Sequence, residues 1–299
     1  MARRQWDDLP DTVRAAIERE TGPVDRAVVP AAGRNSDFSA VLHSANGLTF
    51  CKGIADADGK RAVMHRHEAD INPWLPTSVA PRLRWRTEID GWLLLGFDHV
   101  PGRYADLSPG SADLPVVTEL VTTMTTELAR SPAPATRLAD QWARLAAWRR
   151  IAKDVPDDLD PWARQHLDEL IGWEERAIEL VDGDDLVHTD LHPLNILVGD
   201  QEAKVVDWAW SRKASSAVDV AFLITRLIDN GHGVVEAEQW GESIPAWREA
   251  AQDTRTALAA AIWGIWEFLE GDTPLAHRAL LTAAARTWTR ARLDRQYGN

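Results

Sequence analysis

Two carboxylates, a carboxamide and an imidazole lie close together between positions 188 and 207 of this 299-residue chain. Asn195 follows Asp190 by five residues, Asp207 follows twelve residues later, and His188 precedes them all. They lie on short turns at the ends of apolar, strand-like segments, where polar side chains can converge above a packed sheet. Phosphoryl transfer needs one carboxylate to orient the proton of the attacking hydroxyl, and an acid and an amide oxygen to hold magnesium. The stretch therefore predicts a phosphoryl-transfer loop.

The spacing also matches the catalytic loop of protein kinases, in which an Asn follows the Asp by five residues and a second Asp lies beyond a hairpin. Two other interpretations remain open. His188, Asp190 and His192 alternate as the ligands of a metal hydrolase could, although Pro193 argues against a continuing strand and no matching His or Cys set lies nearby. A buried histidine with capping Asp and Asn side chains is commoner for any one of these residues alone. The four residues together favour catalysis.

An antiparallel sheet is predicted ahead of this loop. Short apolar or alternating runs indicate five strands, at about 27–31, 38–43, 48–52, 83–87 and 92–95. Asn46-Gly47 predicts a type I′ hairpin turn, because both central residues of that turn need positive φ, and Asp90-Gly91 marks another turn. Pro73 ends a helix-like pattern that covers residues 61–72.

Three residues of this first part are candidates for binding nucleotide phosphates. Lys52, at the end of the third predicted strand, could reach α and β phosphates, and Glu68 on the following helix could pair with it. A solvated lysine and an ordinary surface glutamate are the alternatives, and the order of the two residues favours the functional interpretation. The segment 33–37 lacks G-x-G-x-x-G, so we expect it to bind phosphate through a different turn, with Ser36 as the contact.

A break in the pattern at about 96–103 predicts a hinge. The backbone near Phe97, His99 and Val100 could offer carbonyl and amide groups to the edge of a purine. We predict a nucleotide-binding lobe at residues 1–98 and a mostly helical catalytic and acceptor-binding lobe at 99–299. Tryptophans at mostly helical spacing in the second part are expected to pack in its core.

The charge of the chain argues against a nucleic-acid surface, because 33 basic and 46 acidic side chains give a net charge of −13. Residues 1–100 hold 13 basic and 14 acidic side chains, so −12 falls on the later part. A field of that sign attracts a cationic small molecule, although a solvated acidic face kept for solubility is as common. The predicted partner is a small hydroxyl acceptor, cationic in character, with no nucleic acid and no membrane.

The location of the protein is predicted from its cysteine count and its apolar runs. Cys51 is the single cysteine and cannot form a disulfide within the chain, which suggests a reducing compartment. The first residues do not resemble a secretory signal. The most apolar run, 257–266, is far shorter than the ~18 residues of a membrane span and predicts a buried helix instead. We expect a cytoplasmic protein, either a monomer or a homodimer.

With these residues assembled, the chain resembles the aminoglycoside phosphotransferase family, bacterial small-molecule kinases with a protein-kinase-like fold. The resemblance covers nearly the whole length. Its specific part is the segment 188–198, HTDLHPLNILV, together with Val206-Asp207-Trp208 and the later Asp219. The first part of the chain matches mainly in the order of Lys52 and Glu68.

The resemblance implies a role for each matching residue. Asp190 would be the catalytic base, Asn195 and Asp207 the magnesium ligands, and Lys52 the phosphate anchor held by Glu68. His188 and Asp219 would brace the loop. The chain departs from the family at Thr189 and Leu194, where glycine is common. It departs from protein kinases at Trp208-Ala209, which replaces Phe-Gly.

The expected architecture is α+β, a two-lobed protein-kinase-like fold with a five-stranded antiparallel N-terminal lobe containing one main helix and a larger, mostly helical C-terminal lobe. The expected reaction moves the γ-phosphoryl group of ATP or GTP, with Mg²⁺, to a hydroxyl of an aminoglycoside or related antibiotic. A metabolic kinase for a sugar, an amino alcohol or a nucleoside-like natural product is an alternative, and so is a pseudokinase that binds nucleotide without turnover.

Overall fold

The computed structural model describes residues 4–30, 36–200 and 202–297. Its strands are β1 Val24–Val28, β2 Phe38–Ser44, β3 Gly47–Ile54, β4 Leu83–Ile89, β5 Trp92–Asp98, β6 Arg103–Tyr104, β7 Asp185–Val187, β8 Ile196–Val198, β9 Ala203–Val205 and β10 Arg212–Ala214. Its helices are α1 Asp11–Thr21, α2 Lys60–Ile71, α3 Leu114–Glu127, α4 Leu138–Leu145, α5 Ala147–Lys153, α6 Pro161–Gln165, α7 Leu167–Leu180, α8 Ala217–Asp229, α9 Val234–Glu242, α10 Pro245–Arg248, α11 Gln252–Asp272 and α12 Ala276–Tyr297.

The chain divides into two compact units, and each unit is made of two segments. The first combines residues 1–105 with 193–211, and the second combines 106–192 with 212–299. The first contains a five-stranded antiparallel sheet in the order β1-β2-β3-β5-β4, and α3 to α12 all lie in the second. The predicted α+β fold class is confirmed. The lobe boundary after residue 98 and the hinge stay predictions, and residues 96–105 belong to the first unit.

The five-stranded sheet buries both of its faces. One face packs with α1, where Val13 and Ile17 are fully buried. The other carries Leu93, Leu95 and Phe97 of β5 and packs with the alanines of α2. Successive side chains of a strand point to opposite faces, so β5 is apolar and buried from Trp92 to Phe97 because it contributes to both cores.

The two hairpin turns of the sheet differ from each other. Ser44 pairs with Gly47, and Gly47 has a φ of 110° while Asn46 keeps negative φ, so the predicted type I′ turn at Asn46-Gly47 is wrong. Asp90 and Gly91 both have positive φ, 47° and 75°, between the paired residues Ile89 and Trp92. The type I′ geometry is therefore found at the second hairpin.

A second, three-stranded sheet completes the first unit, in the order β6-β8-β9. The amide of Ala105 donates to the carbonyl of Ile196 at 3.0 Å, and the amide of Val205 donates to the carbonyl of Val79 at 2.8 Å. These bonds join the 193–211 segment to the N-terminal residues. The predicted phosphate-binding residues Lys52 and Glu68 therefore share one unit with the predicted magnesium ligands, which follow residue 193.

The second unit is built around α11, whose residues 255–264 are all buried. The predicted core role of the tryptophans is confirmed by Trp247, Trp263 and Trp288, which are fully buried. The indole N–H of Trp288 donates to Glu238 at 2.8 Å, as a buried indole requires. No helix of the described part is long and apolar enough to cross a bilayer.

Candidate active site

Lys52 projects from β3 between two carboxylates of the first unit. Its ammonium lies 3.1 Å from Oδ1 of Asp207 and forms an ion pair with Glu68 of α2. Lys52 and Glu68 have side-chain exposures of 7% and 5%, and Asp207 has 33%. The structure therefore brings these three predicted residues together and leaves the Asp207 carboxylate accessible.

The charges of this cluster depend on one another. Burial lowers the pKa of Lys52, but the carboxylates of Asp207 and Glu68 outweigh that effect and hold it above its usual value. Burial raises the pKa of Glu68 to about 7, against the opposing influence of Lys52 and a hydrogen bond from the backbone of Trp208. Lys52 consequently stays cationic at neutral pH.

Asn195 and Asp207 lie at the same end of the β8–β9 hairpin. Ile196 pairs with Val205, and the amide of Val206 donates to the Asn195 carbonyl at 2.9 Å. Asp207 follows in a left-handed conformation, with φ 64° and ψ 57°, which Asp tolerates better than most residues. The hairpin thus places a carboxamide and a carboxylate next to each other.

These two side chains fit magnesium in kind. Mg²⁺ takes hard oxygen ligands and is commonly held at nucleotide sites by one or two carboxylates, with phosphate and water oxygens completing the shell. Within the described residues, no three or more His, Cys, Asp and Glu side chains converge as a metal site. The hydrolase interpretation of His188, Asp190 and His192 therefore gains no ligand set from the structure.

Ser36 is held by a histidine that the sequence did not single out. Its hydroxyl lies 3.0 Å from Nε2 of His65, and Nδ1 of His65 lies 3.1 Å from the carbonyl of Arg61. The carbonyl only accepts, so Nδ1 carries the proton and Nε2 accepts from the Ser36 hydroxyl. Burial and the nearby Lys52 lower the pKa of His65 to about 4, which keeps the ring neutral. Residues 33–35 of the predicted phosphate segment lie outside the described part.

The residues predicted to bind the purine edge lie at the end of β5 and directly after it. Phe97 is 4% exposed, and its ring lies 5.5 Å from the Lys52 ammonium. His99 and Val100 are half-buried and follow the last residue of β5. Across the described ranges, the backbone groups of His99 and Val100 form no hydrogen bond with other protein groups. They are therefore available to a ligand.

The catalytic-loop candidates of the second unit are anchored on α8. Asp219, in the first turn of that helix, accepts from the amide of His188 at 2.8 Å and from that of Thr189 at 2.9 Å. The amide of Asp190 faces Nδ1 of His188 at 3.2 Å. His188 is fully buried, and burial raises the pKa of Asp219 to about 6 against those two backbone bonds. His188 and Asp219 brace the turn that presents Asp190.

The backbone conformation of Thr189 bears on one of the two positions at which the chain lacks the glycine common in the family it resembles. Its φ is 65°, a left-handed conformation that is strained for a β-branched residue. Glycine adopts this conformation without penalty, which gives a physical reason for glycine at this place in the family that the chain resembles.

Sequence reasoning missed His65 in the first unit and Arg226 in the second as polar neighbours of the candidate residues. His65 precedes Glu68 by one helical turn, so the same buried face of α2 could have indicated it. Arg226 follows Asp219 by two turns of α8 and could have been found in the same way.

No protein-family model matches the chain, and no curated protein matches it. Solved structures do match. A thermostable mutant of aminoglycoside phosphotransferase APH(4)-Ia, in a ternary complex with AMP-PNP and hygromycin B, superposes with a TM-score of 0.63 and 16% identity over 92% of this chain and 98% of that one. The fold is that of aminoglycoside phosphotransferases.

Two further structures with this fold give the same result. Spectinomycin phosphotransferase APH(9)-Ia, in complex with ADP and spectinomycin, has a TM-score of 0.57 and 12% identity, and the match covers 93% of each chain. APH(3'')-Id from Streptomyces rimosus has a TM-score of 0.55 and 18% identity, with 89% of this chain and 96% of that chain covered. The three matches agree on a fold that runs through nearly the whole chain.

Proposed function

We propose that this protein is an O-phosphotransferase that moves the γ-phosphoryl group of ATP or GTP to a hydroxyl of a small molecule. The observation that carries the proposal is the Lys52 ammonium held between Glu68 and Asp207 in a chain with an aminoglycoside phosphotransferase fold. A buried lysine fixed by two acids is suited to hold nucleotide phosphates, because it presents a permanent point charge at a set position.

Each candidate residue has a role in the proposed reaction. Lys52 binds the phosphates, and Glu68 fixes its position. Asn195 and Asp207 would hold Mg²⁺, which would offset the negative charge of the nucleotide phosphates. Asp190 orients the acceptor hydroxyl and takes its proton, while Asp219 fixes the backbone before it. His99 and Val100 offer their backbone groups to the purine edge.

The acceptor proposed first is an aminoglycoside or a related antibiotic. Hygromycin B and spectinomycin are bound in structures of the same fold, and the part of the chain after residue 100 carries a net charge of −12. A negative field attracts cationic molecules. The proposed site of action is the cytoplasm.

The test is incubation of the protein with MgATP or MgGTP and a panel of hydroxylated antibiotics and sugars, followed by mass spectrometry. We expect one acceptor to gain one phosphoryl group, and the gain to disappear in Asp190→Ala while binding of the magnesium nucleotide persists. Nucleotide binding with no product from any acceptor, and no Asp190-dependent hydrolysis, would support a pseudokinase. Stoichiometric zinc or iron in the purified protein would contradict the proposal.

A further inference from the structure

The helix that braces the catalytic loop also carries an arginine on the same face. Asp219 lies in the first turn of α8, where it accepts the amides of His188 and Thr189. Arg226 follows seven residues later, which is two turns along the helix and nearly the same direction. The arginine thus lies on the side of α8 that faces the loop leading to Asp190.

Arg226 is half-buried and has aromatic and acidic neighbours within the second unit. Its guanidinium carbon lies 5.3 Å from the ring centroid of Trp266 on α11, a cation–π distance. Burial lowers the pKa of Arg226, and the carboxylates of Asp190 and Asp229 oppose that effect. Asp229 is partly buried as well, and its pKa is raised.

The guanidinium of Arg226 differs from other buried arginines in its hydrogen bonding. Arg255 bonds to Glu242 and to the carbonyls of Ala250 and Arg248, and Arg292 bonds to Glu238, Gln252 and Thr256. No hydrogen bond from the Arg226 side chain to any protein group occurs in the parts of the chain that the structure describes. The guanidinium is half-buried and its nitrogens keep contact with solvent, so a ligand can take up its donors without displacing a protein partner.

The chemistry of a free guanidinium defines what it can bind. Its planar donors match two oxygens of a carboxylate, and stacking on an aromatic ring fixes the plane before the ligand arrives. We propose that Arg226, stacked on Trp266, is an acceptor-recognition residue that binds a carboxylate on the molecule whose hydroxyl Asp190 activates. This inference rests on the proposed phosphotransfer and narrows its acceptor.

The position of Arg226 has a consequence for the acceptor class. An ammonium group in contact with the guanidinium would be repelled by it, so the group of the acceptor that meets Arg226 is neutral or anionic, whereas Asp190 and Asp229 are the negative neighbours. A hydroxylated acid, such as a sugar acid or a hydroxy amino acid, fits this contact, so the inference favours a metabolic acceptor with a carboxylate over the aminoglycosides proposed first. The overall negative charge of the chain acts over a longer range than this local contact.

The test compares three open-chain polyols that differ in one group: gluconate with a carboxylate, sorbitol with a hydroxyl and glucamine with an ammonium. Binding to the full chain is measured by ligand-observed NMR, with and without MgAMP-PNP. We expect gluconate to bind about tenfold more tightly than glucamine, with sorbitol between them. The variant Arg226→Gln should lose this preference, and Arg226→Lys should keep part of it because a point charge cannot form the paired bonds.

Arg290→Gln is the matched control, because Arg290 also stacks on a tryptophan of this unit, at 5.4 Å from the ring of Trp162. It should keep the preference for gluconate. Equal binding of gluconate and glucamine by the wild type, or an unchanged preference in Arg226→Gln, would overturn the proposal. If Arg226→Gln does not fold, Arg226→Lys decides it, and a preference equal to that of the wild type counts against the paired carboxylate contact.

A separate outcome distinguishes the acceptor from the nucleotide. Weaker MgAMP-PNP binding by Arg226→Gln, with the polyol preference intact, would assign the guanidinium to phosphate and overturn the acceptor role. The binding comparison does not depend on turnover. A failure of the proposed phosphotransfer would instead appear as no phosphorylated product while the preference for gluconate persists.

Discussion

At the scale of single residues, substitutions in the Lys52–Glu68 pair can separate the contribution of Lys52 to stability from its contribution to the reaction. In Lys52→Met, the buried Glu68 loses its cationic partner, and breaking a buried pair in this way costs about 3–5 kcal/mol of unfolding free energy. We expect that loss of stability in urea denaturation, together with a decrease of about a hundredfold or more in kcat/KM for ATP.

The double variant Lys52→Met, Glu68→Leu removes both charges and should recover most of the stability without recovering activity. Lys60→Met, at an exposed lysine, is the control and should change neither quantity. Recovery of activity in the double variant would show that Lys52 has no direct role in the reaction.

The contribution of His65 to stability should depend on pH in a defined direction. Burial and Lys52 lower its pKa from 6.5 to about 4, so the folded protein binds the proton less readily than the unfolded chain does. Its stabilising contribution is present above pH 6.5 and is lost as the pH falls through 4.

His65→Asn keeps a polar group near Ser36 but cannot titrate. The difference in unfolding free energy between wild type and His65→Asn, measured in urea from pH 7.5 to 4, should therefore shrink steadily below about pH 6.5. A difference that is constant over this range, or that grows as the pH falls, would refute the assigned shift.

Among the structural elements, the pairing of β4 with β5 depends on a glycine. Gly96 lies directly opposite Trp85, and a methyl group on Gly96 would come within 2.1 Å of the indole. We expect Gly96→Ala to cost about 1–3 kcal/mol of unfolding free energy, because the ring must leave its position.

A double-mutant cycle tests that mechanism. Trp85→Val should make Gly96→Ala nearly neutral, whereas the two effects would simply add if the backbone of Gly96 were the cause. Gly172→Ala in α7 is the matched control, because nothing lies within 4 Å of its added methyl group, and it should be neutral or stabilising.

Most of these elements could be predicted from local pattern. The alternation of β2 and the continuous apolar run of β5 indicated the sheet, and Pro73 indicated the end of α2. The pairing of Lys52 with Glu68 was also expected. The prediction of a type I′ turn at Asn46-Gly47 was wrong, because this pair has the residue types of such a turn without its register.

What the sequence could not reveal is contact between residues far apart. His65 binds Ser36 across 29 positions, and Arg226 depends on Trp266 in another helix. Helical spacing could indicate the face on which each residue lies, but these contacts follow from packing and not from local pattern.

At the scale of the whole molecule, the first unit is completed by residues that follow it by almost ninety positions in the chain. A fragment of residues 1–105 lacks the partner of β6 and the donor for Val79. Each lost backbone bond is worth about 1 kcal/mol, so we expect this fragment to unfold at lower urea concentration than a fused form that includes residues 193–211.

The fused form joins residue 105 to residue 193 with a short Gly/Ser linker, which suffices because Ala105 already bonds to Ile196 at 3.0 Å. Circular dichroism during urea unfolding compares the two. Identical midpoints would mean that the 193–211 segment adds nothing to the N-terminal sheet. The control is a fused form with Val205→Pro, because proline removes the amide that donates to the Val79 carbonyl. The substitution Val79→Pro would not serve, since Val79 contributes its carbonyl to this bond and proline keeps a carbonyl.

The division of the first unit between two segments has a consequence during translation. The ribosome releases residues 1–105 long before it has made 193–211, and synthesis at about 5–20 residues per second puts roughly 5–20 s between these events. Through that interval β6 lacks its partner strand β8, and an unpaired strand is a site of aggregation. Expression yield should therefore respond to translation speed over codons 106–192, independently of the stability of the finished protein.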